Sequence, residues 1–190
     1  MKNLFLILLV CGSFHALAQS PAADTALHTL TKIDLGFQGV GLSYEPRTGS
    51  KTTVDFAAGI GGGNKVSEDR NEYRWNILQP SFYFIINPKF YYNRQKRIRK
   101  GKSYLNNAGN YIGARIKYVT GNGSSNFNFV TYPALSFNVH WGIQRPLGQR
   151  WLVNAHAGLG YAIDVKSGWA NILYPAIDVK FAYLLGLGKK

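Results

Sequence analysis

Two histidines flank a short basic turn: His140 in FNVHWGIQ and His156 in WLVNAHAG. Ser136 precedes His140 by four residues, and two-residue alternation places all three side chains on one face. A serine beside a histidine can form a nucleophile–base pair, in which the imidazole takes the hydroxyl proton. Asp164 or Asp178 would have to supply the acid. Two imidazoles on adjacent strands also provide half of a zinc site, but a third ligand is needed and none is evident. Reflection about the turn Arg145–Arg150 makes His140 and His156 expected cross-strand neighbours. The plainer reading is a set of polar side chains hydrogen-bonded to one another in an interior. No phosphate loop, zinc signature or nucleotide motif occurs, so no catalytic residue is assigned and no cofactor or metal is expected.

Charge is the second chemical signal. The 190 residues carry a formal net charge of +13, with only 16% charged residues. Between Tyr73 and Ile163 there is no Asp or Glu, against twelve Lys and Arg. Six of these, Arg94, Lys96, Arg97, Arg99, Lys100 and Lys102, crowd into RQKRIRKGK. The plain reading of that run is a solvated turn. The sharper reading is a contact with anionic headgroups or with an acidic periplasmic partner. Arg115, Lys117 and Lys180 share the face of their strands that carries small and neutral-polar residues. Glu45, Asp55, Asp164 and Asp178 occupy the same face on other strands. Burying either sign alone is costly, so ion pairs across an interior are expected.

These residues have to be positioned by strands. Phe137, Val139, Trp141 and Ile143 alternate with Asn138, His140, Gly142 and Gln144; the alternation resumes after the turn at Trp151. The same period marks Thr52–Ile60, Ile112–Tyr118 and Ile177–Leu187. Pro80 interrupts a longer segment that begins near Tyr73, and the phase flips at Gly39, where two strands are expected to meet in a tight turn. Eight strands result: 27–37, 39–46, 51–62, 72–88, 109–121, 128–144, 151–165 and 173–188. Outer loops are expected near 37–40, 63–71, 122–127 and 166–172. No helical segment of useful length is expected.

Residues 1–18 resemble a secretory leader, with Lys2, the apolar run Leu4–Val10 and the small residues Ala16-Leu17-Ala18 before cleavage. The remaining 19–190 form one domain. The sole cysteine, Cys11, falls in the leader, so disulfide and thiolate chemistry are not expected. Export also argues against nucleic acid as the partner of the basic run. No later segment is apolar enough for a helical span, so a membrane crossing would use strands.

The alternation alone does not say which face is inside. On the last strands the polar face is small and mostly uncharged, as a narrow interior requires. The opposite face carries no charge from Phe129 to Ile143, from Trp151 to Val165 and from Ile177 to Leu187. Trp141 and Trp151 fall on it beside the turn, where an interfacial aromatic girdle would lie. The expected fold is therefore all-β: an eight-stranded antiparallel up-and-down transmembrane β-barrel, greasy side outwards.

The leader, the amphipathic hairpins and the alternating last strand together resemble small outer-membrane barrels of the OmpA/OmpX type. The stretch FYYNRQKRIRKGKSYLNNAGNYIGARIKY looks like the strand, basic turn and re-entry of such proteins. The resemblance implies an outer-membrane location and contact with outer-membrane lipids and with the barrel-assembly machinery, and says little of activity. The expected ion pairs and the narrow eight-stranded interior imply a closed lumen, and the leading reading is a structural, envelope-integrity or scaffold role without chemistry. Some outer-membrane lipid A deacylases and acyltransferases are also barrels with Ser and His. In the deacylase pattern a Ser follows the His by two residues; here position 142 is Gly. A lipid A-modifying enzyme using His140, His156 and Ser136 is one alternative reading. A soluble exported barrel holding a small apolar ligand is the other.

Overall fold

The computed structural model describes residues 26–66, 71–74, 80–121, 132–166 and 171–186. The expected leader, the loop expected at 122–127, and residues 67–70 and 167–170 of the loops expected at 63–71 and 166–172 lie outside the described residues; Gly63–Val66, expected in a loop, is strand. Among the described residues the strands are β1 (Leu30–Gly36), β2 (Gly39–Glu45), β3 (Thr52–Gly61), β4 (Gly63–Val66), β5 (Asn71–Arg74), β6 (Ser81–Tyr91), β7 (Gly109–Val119), β8 (Ala134–Leu147), β9 (Trp151–Asp164) and β10 (Asn171–Leu184). The described residues are all-β with almost no helix: α1 (Arg94–Arg99) and a 3₁₀ turn at Leu105–Asn107 lie between β6 and β7.

Eight of the strands close a barrel in the order β1-β10-β9-β8-β7-β6-β3-β2, with every pairing antiparallel. Closure comes from β1 lying against β10, Ile33 opposite Tyr183. β4 and β5 form a separate hairpin inserted between β3 and β6. One end of the barrel, the helix rim, carries α1 and the turns after β2 and β8. The other, the hairpin rim, carries β4–β5 and the turn at Phe37–Gln38.

Several expected boundaries are corrected. The segment 72–88 is not one strand. Asn71–Arg74 pairs with β4, and the barrel strand starts at Ser81 and runs on to Tyr91. Pro80 has no N–H for a ladder bond, so pairing restarts just after it. The first strand begins at Leu30 rather than 27, and its hairpin with β2 turns through Phe37–Gln38, with Gly39 at φ 127°. Residues Arg145–Leu147, expected in a turn, extend β8; the turn is Gly148–Arg150, with Gly148 at φ 75°. The basic run is not a plain turn either. Six of its residues coil into α1, which Gly101 ends in the left-handed region at φ 62°.

Side chains alternate strictly between the two faces. β6 reads buried–exposed from Ser81 to Tyr91 without a break. What is unusual is which residues go where. Lys32, Glu45, Asp55, Lys89, Arg115, His140 and Asp178 are buried, whereas Leu42, Phe82, Phe84, Val139, Leu159, Ile177 and Phe181 are exposed. His140 is 2% exposed and its outward neighbour Trp141 is 48% exposed. On the eight barrel strands no described outward position holds Asp, Glu, Lys or Arg except Arg145, at the end of β8. The barrel is polar within and apolar without.

Apolar clusters cap the interior at both ends, and towards the hairpin rim a polar cavity of about 160 Å³ remains among Gln38, Arg115, Lys117 and His156. At the helix rim Leu30, Leu152, Ala182 and Leu184 form one apolar cluster, and Leu27 joins Tyr91 and Tyr111 in a second. At the hairpin rim Val66 of β4 packs on Ala134 and Ala162, flanked by Ile172 and Tyr174. Tyr73 latches the hairpin: its hydroxyl donates to the Gln38 carbonyl at 2.7 Å and accepts from the Gly62 N–H at 2.9 Å.

Candidate functional site

The largest chemical feature is the ionic interior. Glu45, at the end of β2, and Asp55, on β3, face three lysines contributed by other strands. Lys32 Nζ lies 2.5 Å from Glu45 Oε2 and 3.2 Å from Asp55 Oδ1. Lys89 Nζ lies 3.2 Å from Glu45 and 3.1 Å from Asp55. Lys180 Nζ lies 2.6 Å from Asp34 and 3.2 Å from Asp55. Three cations thus meet three carboxylates, and the cluster is neutral. Thr53 Oγ1 and the Tyr91 hydroxyl donate to Glu45 Oε1 at 2.9 and 3.0 Å, so the carboxylate uses both oxygens. Tyr91 leads on to Gln144, Asn154 and Tyr111: Asn154 Nδ2 donates to Gln144 Oε1 at 3.0 Å, and Tyr111 OH to Asn154 Oδ1 at 2.8 Å. Lone buried charges of this kind would each cost several kcal/mol; matched and hydrogen-bonded, they are tolerated.

Arg115 reaches across the interior to Asp178 at 2.9 Å. Lys117 bonds amide oxygens instead of a carboxylate, donating to Gln38 Oε1 and, at 3.4 Å, to Asn64 Oδ1. Its ammonium also lies 5.2 Å from the centre of the Tyr73 ring, beneath the latched hairpin. Asp164 lies at the hairpin rim, where its Oδ1 accepts the Lys166 N–H at 2.7 Å. Of the charges expected to meet inside, Glu45, Asp55 and Lys180 share one cluster, Arg115 and Asp178 form a pair, and Lys117 and Asp164 stand towards the hairpin rim.

Sequence reading missed Lys32, Asp34 and Lys89. Lys32 and Asp34 alternate with Ile33 and Leu35, a signal that was available. Lys89 continues the phase of Tyr83, Ile85 and Asn87, but falls one residue beyond the strand end expected at 88. Tyr91 and Tyr111 were missed because an aromatic side chain on the polar face carries no sign of being interior.

The histidines are close but not opposite. His140 faces Gly158 and His156 faces Gly142, because the turn is three residues rather than six. On the diagonal their rings still meet, centroids 4.1 Å apart and inclined by 32°. His140 Nδ1 pairs with Asn138 Oδ1 at 2.7 Å, and its ring meets Tyr111 edge-on at 5.8 Å. Ser136 Oγ donates to the Lys117 carbonyl at 3.4 Å, away from the imidazoles. Among the described residues no three His, Cys, Asp or Glu side chains are grouped to hold a metal.

Outside, the two tryptophans expected in a girdle sit near the helix rim. The Trp141 indole N–H donates to the Tyr92 hydroxyl at 2.6 Å, and Trp151 meets the Tyr183 ring at 5.2 Å. Next to Tyr92 begins the basic segment, and here Arg94 departs from its neighbours. It is 4% exposed, and its guanidinium donates to the carbonyls of Tyr104 at 2.9 Å and Ala26 at 2.7 Å. Burial pushes its pKa down from the usual arginine value. It belongs to the scaffold, tying α1 to the segment ahead of β1, rather than to a charged surface. Arg97 is partly fixed by Ser103, whose carbonyl accepts from Nε at 3.2 Å and from a terminal nitrogen at 2.7 Å. Lys96, Arg99, Lys100 and Lys102 are exposed.

No protein family, no curated protein and no solved structure matches this chain.

Proposed function

We propose that this protein is an outer-membrane β-barrel of the OmpA/OmpX type, inserted with its closed, ion-paired interior shielded from lipid and serving the envelope as a structural or scaffold element. One observation carries the reading: the exposed surface of the barrel is the apolar one, and the buried one holds the charges. In water such an arrangement leaves Phe82, Phe84, Leu159, Leu173, Ile177 and many like them unsatisfied, far beyond the few hundred Å² of apolar patch common on soluble proteins. In lipid it is the stable one, since closure of β1 on β10 pairs the barrel strands around the ring and satisfies their backbone groups there. The tryptophan and tyrosine side chains near the helix rim suit the level of the headgroups. The ion-paired interior supports a scaffold over a general pore, because an eight-stranded barrel is too narrow for a general channel once its own side chains share the lumen.

The test is partition. Membranes from cells producing the chain are washed with high salt and alkaline carbonate, then extracted with mild detergent, and residues 1–18 are sought in the isolated protein. Retention through the washes, release by detergent and a chain starting at Gln19 are expected. Recovery in the detergent-free wash would overturn the reading in favour of a soluble barrel.

A further inference from the structure

Cations of the helix rim converge with a residue from another strand. Lys96, Arg97, Lys100 and Lys102 of the α1 segment and Arg145 of β8 line one cleft, with Asn93 and Asn110 at its sides. Five cations and no carboxylate line it. Arg97 lies close enough for its charge to oppose that of Arg145. Like charges held together in this way leave a site that an anion stabilises.

The cleft is also joined to the outer aromatic face. Asn110 accepts from Arg145 through Oδ1, and its Nδ2 reaches the Tyr92 hydroxyl at 3.5 Å, the same hydroxyl that receives the Trp141 indole. Asn93 Oδ1 accepts the Asn110 N–H at 2.7 Å and holds the two strand ends together. Tyr92 and Trp141 are exposed on the apolar side, and Leu105 of the same connection is 55% exposed. Cations one step beyond an interfacial aromatic pair stand where lipid phosphates lie. A free anion would need only the charges. The apolar residues alongside favour a ligand with chains.

We propose that this cleft binds the phosphodiester headgroup of an anionic glycerophospholipid from the leaflet at the helix rim. Lys96, Lys100 and Lys102 supply mobile charge; Arg97, anchored on the Ser103 carbonyl, and Arg145, anchored on the carbonyls of Gly109 and Gln144, supply fixed charge and the N–H groups those bonds leave free; Tyr92, Trp141 and Leu105 supply the contact with the acyl region. The inference rests on the membrane reading above. It excludes Arg94, which is 4% exposed and lies outside the cleft.

The experiment uses protein already reconstituted in lipid nanodiscs, so a failure to insert tests the membrane reading and not this one. Lipid retained by the protein is measured by native mass spectrometry from discs containing phosphatidylglycerol and phosphatidylcholine. Preferential retention of phosphatidylglycerol is expected, weakening with salt. Lys100→Gln/Lys102→Gln should reduce that preference by about fivefold per lysine, about twenty-five-fold together. Lys51→Gln/Lys166→Gln, which removes equal charge from exposed sites outside the cleft, should leave it in place. No preference in the wild-type protein would overturn the proposal, as would equal loss in both double variants. Displacement of phosphatidylglycerol by inorganic phosphate would overturn the lipid assignment and make free phosphate the occupant.

Discussion

An arginine placed at Val139 tests the orientation of the whole barrel. Val139 lies on the outward face of β8, is 51% exposed, and is flanked by Ala114 of β7 and Leu159 of β9. The uncharged outward run on β8 extends from Leu135 to Ile143, with Val139 at its midpoint. Eight residue steps at about 3.4 Å give about 27 Å along the strand, or about 20 Å along the membrane normal at a tilt of about 40°. That approaches the apolar band of about 25 Å expected for such barrels. Val139→Arg therefore sets a guanidinium about 10 Å from either edge of the band and should destabilise the folded protein by about 2–4 kcal/mol. Leu147→Arg makes a comparable change at the helix rim, where Leu147 is 47% exposed, and should cost about 0–1 kcal/mol. Both are measured as shifts in the urea midpoint for folding into phosphatidylcholine liposomes. A gap of about 2 kcal/mol or more between them is the expected result. Equal stability, or greater solubility of Val139→Arg without detergent, would refute the argument that this face meets lipid.

The ionic interior predicts a large asymmetry between single and paired substitutions. Glu45→Gln leaves Lys32 and Lys89 short of a carboxylate and should cost about 3–5 kcal/mol in the same titration, whereas Lys32→Met/Glu45→Met should cost distinctly less. The glycines of the lumen predict steric limits. A Cβ on Gly113 would stand 2.5 Å from His140 Nε2, and one on Gly142 would run into the Tyr111 ring, so Gly113→Ala and Gly142→Ala should each lose about 1–3 kcal/mol. Gly186→Ala, where a Cβ would meet none of the described residues within 4 Å, should be neutral in the same measurement. Finally, His140→Ala/His156→Ala should leave the lipid A mass spectrum of producing cells unchanged; altered acylation would restore the enzyme alternative.

The period of two was legible because each strand has one greasy and one polar side, and that pattern survives without knowledge of neighbours. Lys32 and Asp34 were equally legible as polar-face residues between Ile33 and Leu35. Register was not. Whether the turn after β8 takes three residues or six shifts every pairing by a small step, and that step alone moved His156 from opposite His140 to the diagonal. The division at Pro80 was signalled, but not that Asn71–Arg74 would leave the barrel to pair with β4. A four-residue strand carries too little alternation to announce itself. Arg94 was hidden inside a run of like residues: its partners are the carbonyls of Ala26 and Tyr104, and backbone acceptors leave no mark in side-chain identity.

Strand type, strand spacing and the absence of charge from one face follow from local chemistry, which the order of residues states directly. Which lysine meets which carboxylate depends on bringing β1, β2, β3, β6 and β10 around one axis. Lys180 and Asp34 are far apart along the chain yet 2.6 Å apart in space, because closing the barrel sets β10 beside β1. Closure is a property of all eight strands at once, so only the folded structure could decide it.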